Sequence, residues 1–179
     1  MDSYDAVVYD LDGTLVQLDV DWEAARHDVA VALQEHNVDT QNQNLWELLE
    51  RGGADGFEHI VERELARHEH DGARTSTLLE TAAGLPHTVP TGICSLNCES
   101  ACRLALDEHD IAGHIDAVVG RDTVGSKKPA PEPLLETLGE LGVSSKNVLF
   151  IGDSERDELA ADRAGLDFRY VKTHLDTSY

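Results

Sequence analysis

Two aspartates, Asp10 and Asp12, stand two positions apart at the end of a short apolar run, Ala6-Val7-Val8-Tyr9, and Gly13 follows them. In an extended strand, residues i and i+2 project from the same face, so the two carboxylates would lie side by side. Like charges held that close are costly unless a cation or a shared proton offsets them. Such a pair could therefore hold a metal ion or handle a proton. Gly13 would let the backbone turn away and approach a ligand closely. The same residues also fit an ordinary acidic turn after a strand, since Asp-Gly turns are common. The choice depends on whether the rest of the chain brings further polar groups to that edge.

The apolar run reads as a buried parallel strand. Asp21 is a natural N-cap, and Trp22, Ala25, Val29, Ala32 and Leu33 recur at helical spacing, predicting an amphipathic helix over 21–36. A short helix is expected over 45–50, stopped by Gly52-Gly53. Phe57, Ile60, Val61 and Leu65 predict a helix over 55–70, and one more short helix is expected over 75–83. Residues 18–81 are thus expected to be helical, with no strand.

The pattern then alternates. Strands are expected at 91–95, 116–119, 148–151 and 168–171, and helices at 99–109 and after Gly152-Asp153-Ser154 as far as Ala164. A further helix is entered through Lys127-Lys128-Pro129-Ala130-Pro131-Glu132-Pro133 and stopped by Gly142. Strands alternating with helices predict an α/β protein, a Rossmann-like parallel sheet with helices on both faces and its ligand site beyond the carboxyl ends of the strands. The expected organisation is a core of residues 1–17 and 82–179, with residues 18–81 inserted after the first strand as a helical cap.

Thirty-five acidic residues oppose 14 basic ones, a formal net charge of −21. That surface repels nucleic acid and anionic membranes, so neither is expected as a partner. The acid is dispersed and lysine is confined to Lys127, Lys128, Lys146 and Lys172. This looks like the composition of proteins from halophilic cells with molar salt in the cytoplasm, where the Debye length shrinks to about 3 Å; an ordinary acidic cytosolic protein is the alternative. No apolar run approaches the roughly 20 residues of a membrane span, and the first residues read as no secretory leader. A cytoplasmic monomer or homodimer is expected. Cys94, Cys98 and Cys102 read as buried free thiols, since no fourth metal ligand lies nearby.

Several polar groups now fall on one edge of the predicted sheet: Asp10 and Asp12, Ser95, Lys128 and Asp153. Their order and context resemble the haloacid dehalogenase superfamily of phosphatases. Asp10-Leu-Asp-Gly-Thr-Leu-Val16 matches its first motif, and Ser95 with Asn97 the second, although Ser-Leu-Asn is a departure from the commoner form. Lys128-Pro-Ala-Pro-Glu-Pro133 matches the third, and Gly152-Asp-Ser-x-x-Asp157 with Ala164-Gly165 the fourth. The lysine-proline run and the Gly-Asp-Ser motif look most like the phosphoglycolate phosphatase branch.

The resemblance implies a phosphatase acting on a small phosphate ester, such as phosphoglycolate or a sugar phosphate, through an aspartyl-phosphate. Asp10 would be the nucleophile and Asp12 the general acid–base. Mg²⁺ would be held by Asp10, the Asp12 carbonyl and Asp153, since oxygen-only ligands suit that ion. Ser95, Asn97 and Lys128 would bind the phosphate, supported by Gly13, Thr14, Ser154 and Asp157. Asp12 argues against a dehalogenase, because a halide leaving group needs no proton. A phosphomutase of the superfamily, or a binding module on the same fold, are the alternatives; an intact Asp12 speaks against the module. Two readings concern the cap: Arg51-Gly52-Gly53 as a substrate-reading loop, and His68-Glu69-His70 as a solvated helix end.

Overall fold

The computed structural model describes residues 4–144 and 147–171. Lys146, Lys172 and the first three residues, on which the leader reading partly rests, lie outside the described residues.

Five strands form one parallel sheet: β1 (Ala6–Tyr9) at its centre, β4 (Thr91–Cys94) and β5 (Ala117–Val119) on one side, β6 (Val148–Gly152) and β7 (Asp167–Tyr170) on the other. The expected Rossmann-like α/β architecture is present. Alternation along each strand decides which face a side chain joins. Val7, Tyr9, Ile93, Val118, Leu149 and Ile151 pack with Cys102, Ala105 and Leu106 of α4 (Glu99–Glu108). Ala6, Val8, Cys94, Val148 and Phe150 pack on the opposite face with α5 (Glu132–Leu141) and α6 (Glu155–Ala164). Gly142 and Gly165 end α5 and α6 in the left-handed conformation, and all three cysteines are free and buried.

Between β1 and β4 lie α1 (Trp22–Gln34), α2 (Leu45–Ala54) and α3 (Glu58–Arg74). They share their own apolar cluster, built on Val29, Leu33, Leu48, Val61 and Leu65. Asp21 caps α1 by accepting from the Ala24 amide. Two expectations here need correction. The helix expected over 75–83 is absent: β3 (Thr77–Leu78) pairs antiparallel with β2 (Val16–Gln17), and a 3₁₀ turn follows at Glu80–Gly84. Non-local pairing overrides local pattern here, and the helical block leaves and rejoins the sheet through this two-stranded ribbon. Nor do Gly52 and Gly53 stop a helix, because α2 runs through both. A Cβ at position 52 would come within 2.5 Å of Val61, so glycine permits close packing of α2 on α3. Among the described residues no helix is long and apolar enough to cross a membrane.

Candidate active site

In an open parallel sheet, loops diverge at the carboxyl ends of the strands where the strand order reverses. Asp10 leaves β1 at that point, with its amide donating to Ile151 O of β6 at 2.8 Å. Asp153 and Ser154 follow β6, and Lys128 arrives from the loop before α5. Lys128 is buried, and its three ammonium protons are fully used: Nζ donates to Asp10 Oδ1 at 2.9 Å, Asp157 Oδ1 at 2.5 Å and Cys94 O at 2.8 Å. Burial opposes its charge, but the carboxylates of Asp10 and Asp157 overcome this and hold it above the ordinary lysine range. Lys127 instead faces the helical block and pairs with Glu58 at 2.9 Å.

The acids differ in their surroundings. Burial raises Asp10 to about 7, Lys128 pulling it down while Asp157 and Asp153 push it up. Asp12 is half-buried and raised to about 6, again chiefly by burial. Its Oδ1 accepts from Leu18 N at 2.8 Å and Gln17 Nε2 at 3.1 Å, so β2 and the residue after it aim the carboxyl. Asp153 is the more exposed, and burial and Asp157 raise it as well.

Asp157 faces inward. Ser154 caps α6 and donates to Asp157 Oδ2 at 2.6 Å, completing a capping box, so Ser154 and not Asp153 is the helix cap. Carboxylate oxygens of Asp10, Asp153 and Asp157 lie within 4.8 Å of one another. Gly13 adopts φ +80°, and a Cβ there would collide with Asp153 Oδ2. The first loop is thus shaped to admit the Asp153 carboxylate. An all-oxygen, net-negative cradle of this kind fits a hard divalent cation.

Asp10, Asp12, Asn97, Lys128, Asp153 and Ser154 all line one cavity of about 570 Å³. Thr14 lies behind Asp10, its hydroxyl 3.5 Å from Oδ2. Ser95 departs from expectation: its buried hydroxyl donates to Asn97 Oδ1 at 3.1 Å and accepts from the Asn97 amide, and it is absent from the cavity wall. With Oδ1 so engaged, Asn97 keeps its two amide protons for the cavity.

Sequence reasoning missed one structure at this site. Arg121, just past β5, donates to Glu69 and Glu62 of α3 and to Leu96 O at 2.8 Å. Glu69 is fully buried and also accepts from Cys98 N at 2.9 Å. The reading of His68-Glu69-His70 as a solvated helix end is therefore corrected. Glu69 stands four residues after Leu65, on the buried stripe of α3, and that spacing was the available signal. Nor is Arg51-Gly52-Gly53 a loop: it lies inside α2, and Arg51 pairs with Asp55 at 2.6 Å.

Residues 7–171 match the haloacid dehalogenase-like hydrolase family. The chain belongs to that family. Among relatives of this haloacid dehalogenase-like hydrolase, the phosphoglycolate phosphatase of Yersinia pseudotuberculosis is 30% identical over 186 residues, covering 89% of this chain and 77% of that protein. The phosphoglycolate phosphatase of Aquifex aeolicus is 28% identical over 173 residues, covering 89% and 80%. Among solved structures, a haloacid dehalogenase-superfamily hydrolase of Geobacter sulfurreducens has a TM-score of 0.61 at 23% identity, covering 92% of this chain and 88% of that one. CbbY from Rhodobacter sphaeroides, solved in complex with phosphate, has a TM-score of 0.65 at 20% identity, covering 93% and 85%. At those identities the two structures establish a shared fold.

Proposed function

We propose that this hydrolase is a cytoplasmic Mg²⁺-dependent phosphomonoesterase acting through an aspartyl-phosphate on Asp10, with residues 18–81 forming a cap over a core of 1–17 and 82–179. The observation that carries this is the pairing of a buried, lysine-bonded carboxylate, Asp10, with a separately aimed acid two residues on, Asp12. One group is placed to attack and the other to move a proton. The relatives named as phosphatases support the same reading.

In the first step an Asp10 carboxylate oxygen bonds to phosphorus and the phosphorus–oxygen bond to the alcohol breaks. Asp12, protonated, gives its proton to the departing oxygen. In the second step water bonds to phosphorus and Asp12 takes the water's proton. The bond from Asp10 to phosphorus breaks, returning the carboxylate and releasing inorganic phosphate. A side chain near pH 6 can serve in both directions. Lys128 and the Asn97 amide would hold the phosphoryl oxygens, while Ser95 orients Asn97. Asp10, Asp153 and the Asp12 carbonyl would hold Mg²⁺, which supplies positive charge against the phosphoryl oxygens. Asp157 would act on Lys128 and Ser154, with no direct place on the ion.

Hydrolysis of para-nitrophenyl phosphate should require Mg²⁺ and vanish on chelation. Full activity in chelator, with metal shown to be absent, would sink the metal assignment, and inactivity of the folded, Mg²⁺-loaded protein would sink the phosphatase reading. The assay belongs in molar KCl, because self-repulsion at −21 favours expansion in dilute buffer. The unfolding temperature should climb with KCl, and Mg²⁺ should restore part of the low-salt loss by binding only the folded state. A midpoint flat in KCl would show that the acid surface is no salt adaptation.

Gly13→Ala tests the cradle. An alanine at φ +80° costs about 1–2 kcal/mol of backbone strain, and its methyl displaces Asp153. Calorimetry should show Mg²⁺ binding weakened roughly tenfold or more. Affinity within twofold of wild type would remove Asp153 from the metal site.

A further inference from the structure

Resting on the phosphatase reading, we infer that the alcohol carried by the substrate is a bulky apolar or aromatic body, and that short carboxylate esters such as phosphoglycolate are poor substrates. The cavity wall opposite the acids is apolar. The helical block supplies Trp22, Leu45, Trp46, Leu49 and Leu65, and its one charged contribution is Glu69. That carboxylate is already bound by Arg121 and the Cys98 amide. A substrate with a second negative charge needs a cation facing the phosphate site, and the block offers none.

The cations lining the cavity from the sheet side are largely committed. Lys128 serves Asp10 and Asp157, and Arg121 serves Glu62 and Glu69. Arg156 lies over the Trp46 ring, 4.1 Å from its centroid, and among the described residues no ion pair is formed by it. It extends the flat surface of the ring more than it addresses the acids. Both tryptophans of the whole sequence line this one cavity, and they keep 40% and 37% of their surface open. Large rings left uncovered inside a cleft provide stacking and apolar area for a ligand.

Size leads to the same conclusion. About 570 Å³ falls within the range of pockets that enclose drug-sized ligands, roughly 300–1,000 Å³. A two-carbon acid phosphate would leave most of that space as water against leucine and tryptophan, and would bring its carboxylate out of water without a partner. An apolar body would instead expel that water, and its contacts with the rings would position the ester over Asp10.

The test compares phosphate esters of primary alcohols, so that the leaving oxygen stays alike: ethyl, benzyl and 2-naphthylmethyl phosphate, beside 2-phosphoglycolate. With Mg²⁺ and molar KCl, kcat/KM for 2-naphthylmethyl phosphate should exceed that for 2-phosphoglycolate by about tenfold or more. Trp46→Ala should collapse that ratio towards one. Separately, titration with 2-naphthylmethylphosphonate, which cannot be hydrolysed, should change tryptophan emission saturably, because both tryptophans face the cavity. Preference for 2-phosphoglycolate, or a ratio unmoved by Trp46→Ala, overturns the inference and leaves the phosphatase reading standing. A saturable emission change with no ester cleaved does the reverse.

Discussion

Asp10→Asn should abolish turnover, lowering kcat by roughly 10⁴-fold or more, because an amide cannot supply the attacking oxygen. The fold should survive the change. Lys128 keeps Asp157 and Cys94 O as partners, so no charge is left buried alone. Asp12→Asn should behave differently. It keeps the nucleophile and loses the proton carrier, so both steps slow, by about 10²–10⁴-fold. If hydrolysis of the phospho-enzyme slows more than its formation, the intermediate accumulates. Pre-steady-state and steady-state phosphate release on the two variants, with circular dichroism as the folding control, distinguishes the roles. An Asp10→Asn protein that retains most of its rate rules out covalent catalysis.

Lys128→Met should be the most damaging change to stability. The ammonium is buried between two carboxylates, and removing it leaves Asp10 facing Asp157 with no cation between them. Breaking a buried pair from one side costs about 3–5 kcal/mol. The loss should depend on pH, with a definite sign. Asp10 already titrates near 7 in the folded chain against 3.8 when unperturbed. Between those values the folded state holds a proton that the unfolded chain has released, so metal-free stability falls as pH rises through this window. Without Lys128, Asp10 loses the one charge that pulls its value down, and the fall should steepen and extend further upward. Thermal unfolding of both proteins in chelator from pH 5 to 8 reads this directly. Equal slopes would mean that Lys128 does not hold the Asp10 charge.

Much of the sheet was legible because its signals are local. Apolar runs ending in Asp10, Ser95 and Gly152 mark strands whose ends share one edge, and Gly142 and Gly165 mark helix ends by their left-handed geometry. Asp10, Asp12, Lys128 and Asp153 could be placed together because parallel strands put all their carboxyl ends on one side. What failed was non-local. Thr77 and Leu78 are extended because Val16 and Gln17 lie beside them, and their own sequence carries no such message. Gly52 looks like a stop until Val61 is seen pressed against it. Arg121 and Glu69 are 52 residues apart and reveal each other only when α3 packs on the sheet. Ser95 was correctly placed at a strand end, but its hydroxyl turns to Asn97, a choice made by side-chain geometry.

Covalent capture of the phosphoryl group on Asp10 tests the central claim most directly. Asp12→Asn protein loaded with Mg²⁺ would be mixed with an excess of a hydrolysed ester, quenched in acid within one turnover and digested for mass spectrometry. The phosphoryl group is expected on the peptide carrying Asp10, at a level that decays with the rate of phosphate release, and nowhere in Asp10→Asn treated alike. Phosphate release at the same rate with no modified peptide, or modification at any residue other than Asp10, would contradict it.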